Sequence, residues 1–264
     1  LEFRRVLFRS HPISTATMRK WQLEHIFTGT QLLPEEQVLV TDDAGTILDI
    51  IPAADAGENI EKLPGWISPA FINCHCHLEL SHLKGAIPQK TGLVNFVQQV
   101  MQQRNRDAEL QLEAIQAADK QIWESGTQAV GDICNQPITA AVKSESRVTY
   151  HSFIELTGWH PSVAASRYQT GLECSAVFNR FRLPHSFSPH APYSVSTNLW
   201  KKMQPHFSNV PVTIHNQESI DEQFLFEKGA GNWIPFYEQI GIAHPGFTAT
   251  GKSSLQSIFP FLQS

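Results

Sequence analysis

The chain has 264 residues, a formal net charge of −5 and 41 % hydrophobic residues, the make-up of one large globular domain, alone or with a small companion. Mild acidity without a dense Lys/Arg cluster argues against a nucleic-acid or anionic membrane partner, and no apolar run approaches the ~20 residues of a bilayer span. Four cysteines in a chain this long do not form a disulfide framework, so a reducing cytoplasm is the expected compartment.

Residues 1–17, "LEFRRVLFRSHPISTAT", carry arginines but lack the apolar core and small-residue cleavage site of a signal peptide. They read as a non-native or disordered extension, with a targeting arm as the alternative. Residues 18–64 hold short β-type runs, "HIFTGT", "QVLVTD" and "TILDIIP", punctuated by Pro34, Gly45 and Pro52, with "DDAG" as a turn. A small β-sandwich-like unit is expected there. From residue 65 the pattern alternates. The apolar run "WISPAFINCH" precedes helical "GLVNFVQQVMQQ" and "AELQLEAIQAADKQIWESG", which stops at Gly126. Strand-like "TQAVGDI" and "RVTYHSFIEL" follow, then a helical stretch near 162–180 and "PHSFSPH". A helix is expected from "SVSTNLWKKM", with Ser196 as its N-cap. "VPVTIH" is the last strand candidate, before helical "ESIDEQFLFEK".

Repeated strand–helix units imply parallel strands with crossover helices, an α/β fold. No G-x-G-x-x-G or Walker-type loop marks a doubly wound sheet, which favours a barrel. The expected fold is therefore a partial (β/α)8 TIM-type barrel over residues 65–264, with five of its eight strands recognisable.

The chemistry centres on "FINCHCHLELSH", residues 71–82. Successive side chains of a strand point to opposite faces, so His75 and His77 share one face and Cys74 and Cys76 the other. The four cannot chelate one ion unless the strand breaks. No second cysteine pair stands at a knuckle spacing, so the cysteines read as packing residues. A bare H-x-H is an ordinary surface pair; its position at the end of an apolar strand points instead to a metal. "VPVTIHNQES" repeats the arrangement, ending a strand in His215 with Glu218 three residues later. Both strands would deliver imidazole to the C-terminal rim of a barrel, where Glu218 could exchange protons with a water. Alone, Glu218 reads better as a first-turn helix acid. His190, between prolines in "SFSPHAPYSVS", faces the same rim as a substrate contact or as a satisfied loop histidine.

"LPGWISPAFINCHCHLELSHLKG" resembles the first-strand signature of the amidohydrolase superfamily. "SPHAPYSVS" and "TIHNQES" are similar to the fourth- and fifth-strand motifs of its cytosine deaminase, chlorohydrolase and aminofutalosine deaminase branch. The resemblance runs from about residue 18 to the end. It implies that His75, His77 and His215 hold one divalent ion, Zn2+ first and Fe2+ second. It implies that Glu218 is the acid/base residue, with His190 helping to orient a small-molecule substrate. The implied reaction is hydrolytic deamination of an aminated heterocycle or nucleoside-like compound. The competing reading is a non-catalytic metal-binding or inactive scaffold of the same fold. Glu79, His82 and Glu155 stand as pocket-shaping candidates, against helix-cap, salt-bridge or surface roles. A homodimer is an open option.

The family also carries a histidine after its sixth strand and a metal-binding aspartate after its eighth, and neither is found. His244 lies in the Gly/Pro-rich "GIAHPGFTATG" without a preceding strand, and Asp221 falls on a helix. The expectation is a C-terminally truncated barrel, poorly stable and inactive alone, because open strand edges and apolar surface would be exposed.

Overall fold

The computed structural model describes residues 18–105 and 107–262, so the extension expected over 1–17 lies outside the described residues. The chain divides between Ala70 and Phe71 into two compact units.

The first unit is a four-stranded sheet: β1 (Arg19–Ile26), β2 (Gln37–Thr41), β3 (Ile47–Pro52) and β4 (Ile60–Ile67), in the order β3-β2-β1-β4. β2 runs antiparallel to both β1 and β3, while β4 is parallel to β1. The "DDAG" turn closes β2–β3 as expected. Asp42 accepts from Gly45 N through its carbonyl and from Thr46 N through its carboxylate, and Gly45 supplies the left-handed φ of 86°. "LPGWI" finishes this sheet instead of opening the next one. Trp66 and Ile67 pair with His25 and Ile26 of β1, and Pro64 falls at the irregularity that follows Leu63, where a missing N–H is tolerated. The division therefore falls after Ala70 rather than after residue 64.

In the second unit every strand is parallel, in the order β5 (Phe71–Cys76), β6 (Thr127–Cys134), β7 (Thr149–Leu156), β8 (His185–Pro189). The crossovers are helical: α1 (Leu93–Gln103) and α2 (Ala108–Glu124) after β5, α3 (Ala140–Glu145) after β6, α4 (Ala164–Arg180) after β7 and α5 (Thr197–Met203) after β8. α6 (Ile220–Lys228), α7 (Trp233–Gln239) and α8 (Ser254–Leu262) complete the unit. This is a partial (β/α) TIM-type barrel. No helix among the described residues is long and apolar enough to cross a membrane.

Strand parity sorts the side chains. Cys76, Val130 and Tyr150 face the helices and pack with Leu78, Ile115 and Ile122. Farther along the sheet Cys134, Ile154, Leu156 and Phe187 pack with Phe178 of α4 and Leu199, Trp200 and Met203 of α5. Truncating a buried aliphatic such as Ile154 costs roughly 2–5 kcal/mol. The opposite face carries Phe153, Glu155, Ser186, Ser188 and the strand-end histidines.

Two expectations change. "VPVTIH" does not enter the ladder as a fifth strand. Residues 211–215 run beside β8, but only His215 N reaches a β8-side carbonyl, that of His190, at 2.9 Å. Pro211 has no N–H to give. Two β8 hydroxyls bridge the rest: Ser186 donates to Pro211 O (2.7 Å) and Ser188 accepts from Thr213 N (3.3 Å). Ser196 occupies the N-cap position of α5, yet its hydroxyl caps nothing and lies buried without a partner among the described residues. The helix start is held by its carbonyl, which accepts from Leu199 N and Trp200 N.

Candidate metal centre and acid–base site

His75 and His77 leave the end of β5 on one face, with Cys76 on the other. Burial pushes the Cys76 thiol up to about 12, so it stays protonated and is no thiolate ligand. Gly131 of β6 permits the close approach of β5: a Cβ there would stand 2.8 Å from Cys74 O and 2.9 Å from Phe153 Cε2. Behind the strand a buried ion pair, Lys143 Nζ to Asp132 Oδ2 at 2.6 Å, ties α3 to β6. Asp132 Oδ1 accepts from Leu78 N at 2.7 Å, which fixes the backbone directly after His77.

The third imidazole arrives on segment 211–215. Ring centroids separate His75 from His215 by 4.7 Å, His75 from His77 by 5.1 Å and His77 from His215 by 5.3 Å. One ring nitrogen from each lies within 4.8 Å of the other two. His215 Nε2 is buried without a hydrogen-bond partner; Glu155 Oε1 lies 3.4 Å away but out of hydrogen-bond alignment. Three converging imidazoles with an orphaned lone-pair site fit a divalent cation of the zinc type.

The turn after His215 is built around Glu222. That fully buried carboxylate accepts from Gln217 N (3.1 Å) and Glu218 N (3.0 Å) and also from Asn216 Nδ2. Glu218 thereby precedes Ser219, the cap of α6, so it is not a first-turn helix acid; Asp221 and Glu222 hold those places. Glu218 Oε1 stands 3.5 Å from His215 Nδ1, and Tyr193 donates its hydroxyl to Oε2 at 2.8 Å. Asp221 instead accepts from Asn232 N, away from the histidines.

His190 follows β8, its ring 5.0 Å from His215. Ser194 Oγ donates to Ala191 O (3.1 Å) and stands 2.6 Å from His190 Nδ1. With its proton committed, that hydroxyl accepts from Nδ1–H, which leaves His190 Nε2 as an open acceptor.

Burial holds His77 down at about 4 and lowers His75 and His190 as well, so these imidazoles are neutral near pH 7. Burial also pulls on His215, but the Glu155 and Glu218 carboxylates outweigh it and hold His215 up at about 9. Burial favours the neutral acid at Glu155, yet the surrounding His190, His215 and His77 keep its carboxyl at about 2.

A cavity of about 1020 Å³ opens onto this cluster. His77, Glu155, His190, His215 and Glu218 form its polar end, while Phe96, Val97, Trp159 and Trp233 are among its apolar walls. Of the remaining candidates, Glu79 is buried in an ion pair with Arg104 at 2.6 Å, the salt-bridge role weighed for it. His82 has both ring nitrogens buried without a partner among the described residues and does not line the cavity. His244 packs against Trp159, His160 and Phe247, apart from the three-histidine group. Sequence reasoning missed Asn135, Arg104, Tyr193 and Glu222. It left Glu155 evenly weighed, although strand parity sets that residue on the face opposite Ile154 and Leu156.

No protein-family model matches the chain. Over 224 residues it is 27 % identical to an aminodeoxyfutalosine deaminase from a Nitratiruptor species, covering 77 % of this chain and 54 % of that protein. Over 245 residues it is 25 % identical to a 5-methylthioadenosine/S-adenosylhomocysteine deaminase from Natronomonas pharaonis, covering 85 % and 56 %. The chain resembles the deaminases of the amidohydrolase superfamily. Its fold follows that likeness: the crystal structure of Helicobacter pylori aminofutalosine deaminase in complex with methylthio-coformycin superposes with a TM-score of 0.68 at 22 % identity, over 84 % of this chain and 56 % of that one. The chain spans about half the length of the curated relatives it matches.

Proposed function

We propose that this chain carries the metal-holding and proton-handling residues of a hydrolytic deaminase whose substrate is an aminated heterocycle, a free or nucleoside-like aminopurine. The observation that carries this reading is the convergence of His75, His77 and the orphaned His215 Nε2, the last two residues lining the polar end of a cavity. Resemblance to proteins named as nucleoside-type deaminases supplies the substrate class. Imidazole donors suit zinc, with iron second; His215, held up at about 9 by its two carboxylates, gives up its proton when a cation binds.

A divalent ion held by these residues supplies water activation at neutral pH. The protein's own groups do the rest. Glu218, beside His215 and steadied by Tyr193, takes a proton from the attacking water and delivers it to the amino nitrogen as the C–N bond breaks and ammonia leaves. His190 Nε2 accepts a hydrogen bond from the exocyclic amino N–H and sets the heterocycle's orientation. Trp159, Trp233 and Phe96 shelter the apolar part of the substrate and exclude bulk water.

The test is ammonia release from a panel of 6-aminopurines and their nucleosides by the zinc-loaded chain. Release that disappears with a chelator and with Glu218→Gln supports the proposal. Absence of bound zinc contradicts it. A second reading, a metal-binding scaffold without turnover, is favoured by the exposure of Phe71 and Ile72 (63 % and 70 %) on β5; zinc bound without any ammonia release would select it.

A further inference from the structure

We propose that Glu222 is a positioning residue for Glu218: its buried carboxylate folds the turn 216–218 and so sets the acid–base group beside the histidines. This inference rests on the proton-transfer role proposed above for Glu218. The stretch "ESIDE", residues 218–222, contains the S-x-x-E of a capping box, Ser219 to Glu222. In that motif the glutamate returns to the backbone N–H of the cap residue itself. Here one half of the box forms, with the Ser219 hydroxyl accepting from Glu222 N at 3.4 Å. The other half does not. Glu222 reaches past Ser219 to the two N–H groups before it, Gln217 N on Oε1 (3.1 Å) and Glu218 N on Oε2 (3.0 Å). A third donor, Asn216 Nδ2, joins Oε1 at 3.3 Å and also meets Ser254 Oγ at 3.0 Å. The carboxylate thus serves the turn that carries Glu218.

The turn depends on that carboxylate. Gln217 holds a left-handed φ of 57° without being glycine, a conformation that persists where the surroundings over-determine it. Glu222 is fully buried, and hydrogen bonds from N–H groups to an ionised carboxylate are about twice as strong as neutral ones. The Glu218 side chain is aimed from this fixed backbone. Its Oε1 stands 3.5 Å from His215 Nδ1, and its Oε2 accepts from the Tyr193 hydroxyl at 2.8 Å. His215 has a separate anchor, its N–H donating to His190 O at 2.9 Å. The imidazole is therefore held from the β8 side, whereas the proton carrier three residues later is held by Glu222. An amide at position 222 would offer one acceptor oxygen for three donors. In either orientation its NH2 would face at least one of the two backbone N–H groups.

Glu222→Gln tests the assignment beside Asp221→Ala, which removes a carboxylate of the same helical turn that accepts from Asn232 N. Zinc per chain should stay at the wild-type value in both, because His215 keeps its own anchor. In ammonia release by the zinc-loaded proteins, kcat should fall by about 100-fold in Glu222→Gln with KM little changed, and stay at the wild-type value in Asp221→Ala. A merely structural Glu222 would lower the melting temperature, as Asp221→Ala does, and leave kcat alone. The crystal structure of Glu222→Gln should show the Glu218 carboxylate displaced from the Tyr193 hydroxyl. Amide hydrogen exchange of the wild type needs no variant to fold, and the Gln217 and Glu218 N–H groups should be protected as those of α6 are. Wild-type kcat in Glu222→Gln, Glu218 still bonded to Tyr193 there, or unprotected amides at 217 and 218 overturns the inference. Zinc lost from Glu222→Gln also overturns it, since Glu222 would then be holding a ligand. A wild type that releases no ammonia, with Glu218 displaced in Glu222→Gln, contradicts the deaminase reading and leaves this positioning standing.

Discussion

His215 has a carboxylate beside each ring nitrogen, and the two carboxylates are held differently. Glu155 is buried and neighbours three imidazoles, whereas Glu218 is partly exposed at the cavity and steadied by one phenol. That difference bears on the proposed acid–base role: the reachable Glu218 carboxylate suits proton exchange with water and substrate, as the buried Glu155 does not. Replacing Glu218 by Gln keeps the shape and removes the proton acceptor. We expect turnover to fall by roughly 10²–10⁴-fold with zinc content unchanged, which steady-state ammonia assays paired with metal analysis will show. Equal loss of zinc and activity would mean that Glu218 is a ligand instead. At this scale the sequence exposed the histidines plainly, because H-x-H sits at the end of β5 and I-H-N-Q-E-S at the end of an apolar run. It hid Asn135, Arg104 and Glu222, whose parts depend on contacts between residues distant in the chain or on a turn that propensity does not reveal.

At the scale of elements, β5 is placed by what lies against it. Gly131→Ala would set a methyl group against the Cys74 carbonyl and the Phe153 ring, and backbone cannot yield as a flexible side chain does. β5 must shift, carrying His75 and His77 with it. Zinc affinity and melting temperature should fall together in that variant, whereas Gly45→Ala in the first unit should leave zinc affinity unchanged. Lys143→Met strands Asp132 without its cation inside the protein, at a cost of about 3–5 kcal/mol in urea unfolding; a change under about 1 kcal/mol would show that the pair is dispensable. Strand–helix alternation made β5 to β8 and their crossovers legible, since apolar runs and helical periodicity coincide there. It overstated segment 211–215, whose apolar alternation is that of a strand but whose Pro211 and serine-mediated attachment keep it outside the ladder. It also placed "LPGWI" with the wrong sheet, because its pairing with β1 depends on register that hydrophobicity does not encode.

For the whole molecule, the shifted imidazoles make metal-free stability depend on pH. His77, held at about 4 by burial, and His75, His151 and His190, lowered chiefly by burial, bind protons more readily unfolded, where imidazole titrates near 6.5. Their neutral forms suit the fold above pH 6.5, and that advantage is lost as pH falls towards 4. His215 has the opposite sign: raised to about 9, it contributes fully below pH 6.5 and loses its contribution as pH rises through 9. The melting temperature of the metal-free protein should therefore drop between pH 6.5 and 4, read by scanning fluorimetry. A flat profile would contradict the partial burial of His77, His151 and His190.

The most direct measurement is the zinc content of the purified chain after loading and exhaustive dialysis, compared with that of a variant carrying His75→Ala, His77→Ala and His215→Ala. One zinc per chain in the wild type and none in the variant is the predicted result. Equal zinc in both, or none in either, would contradict a cation site built from these three imidazoles.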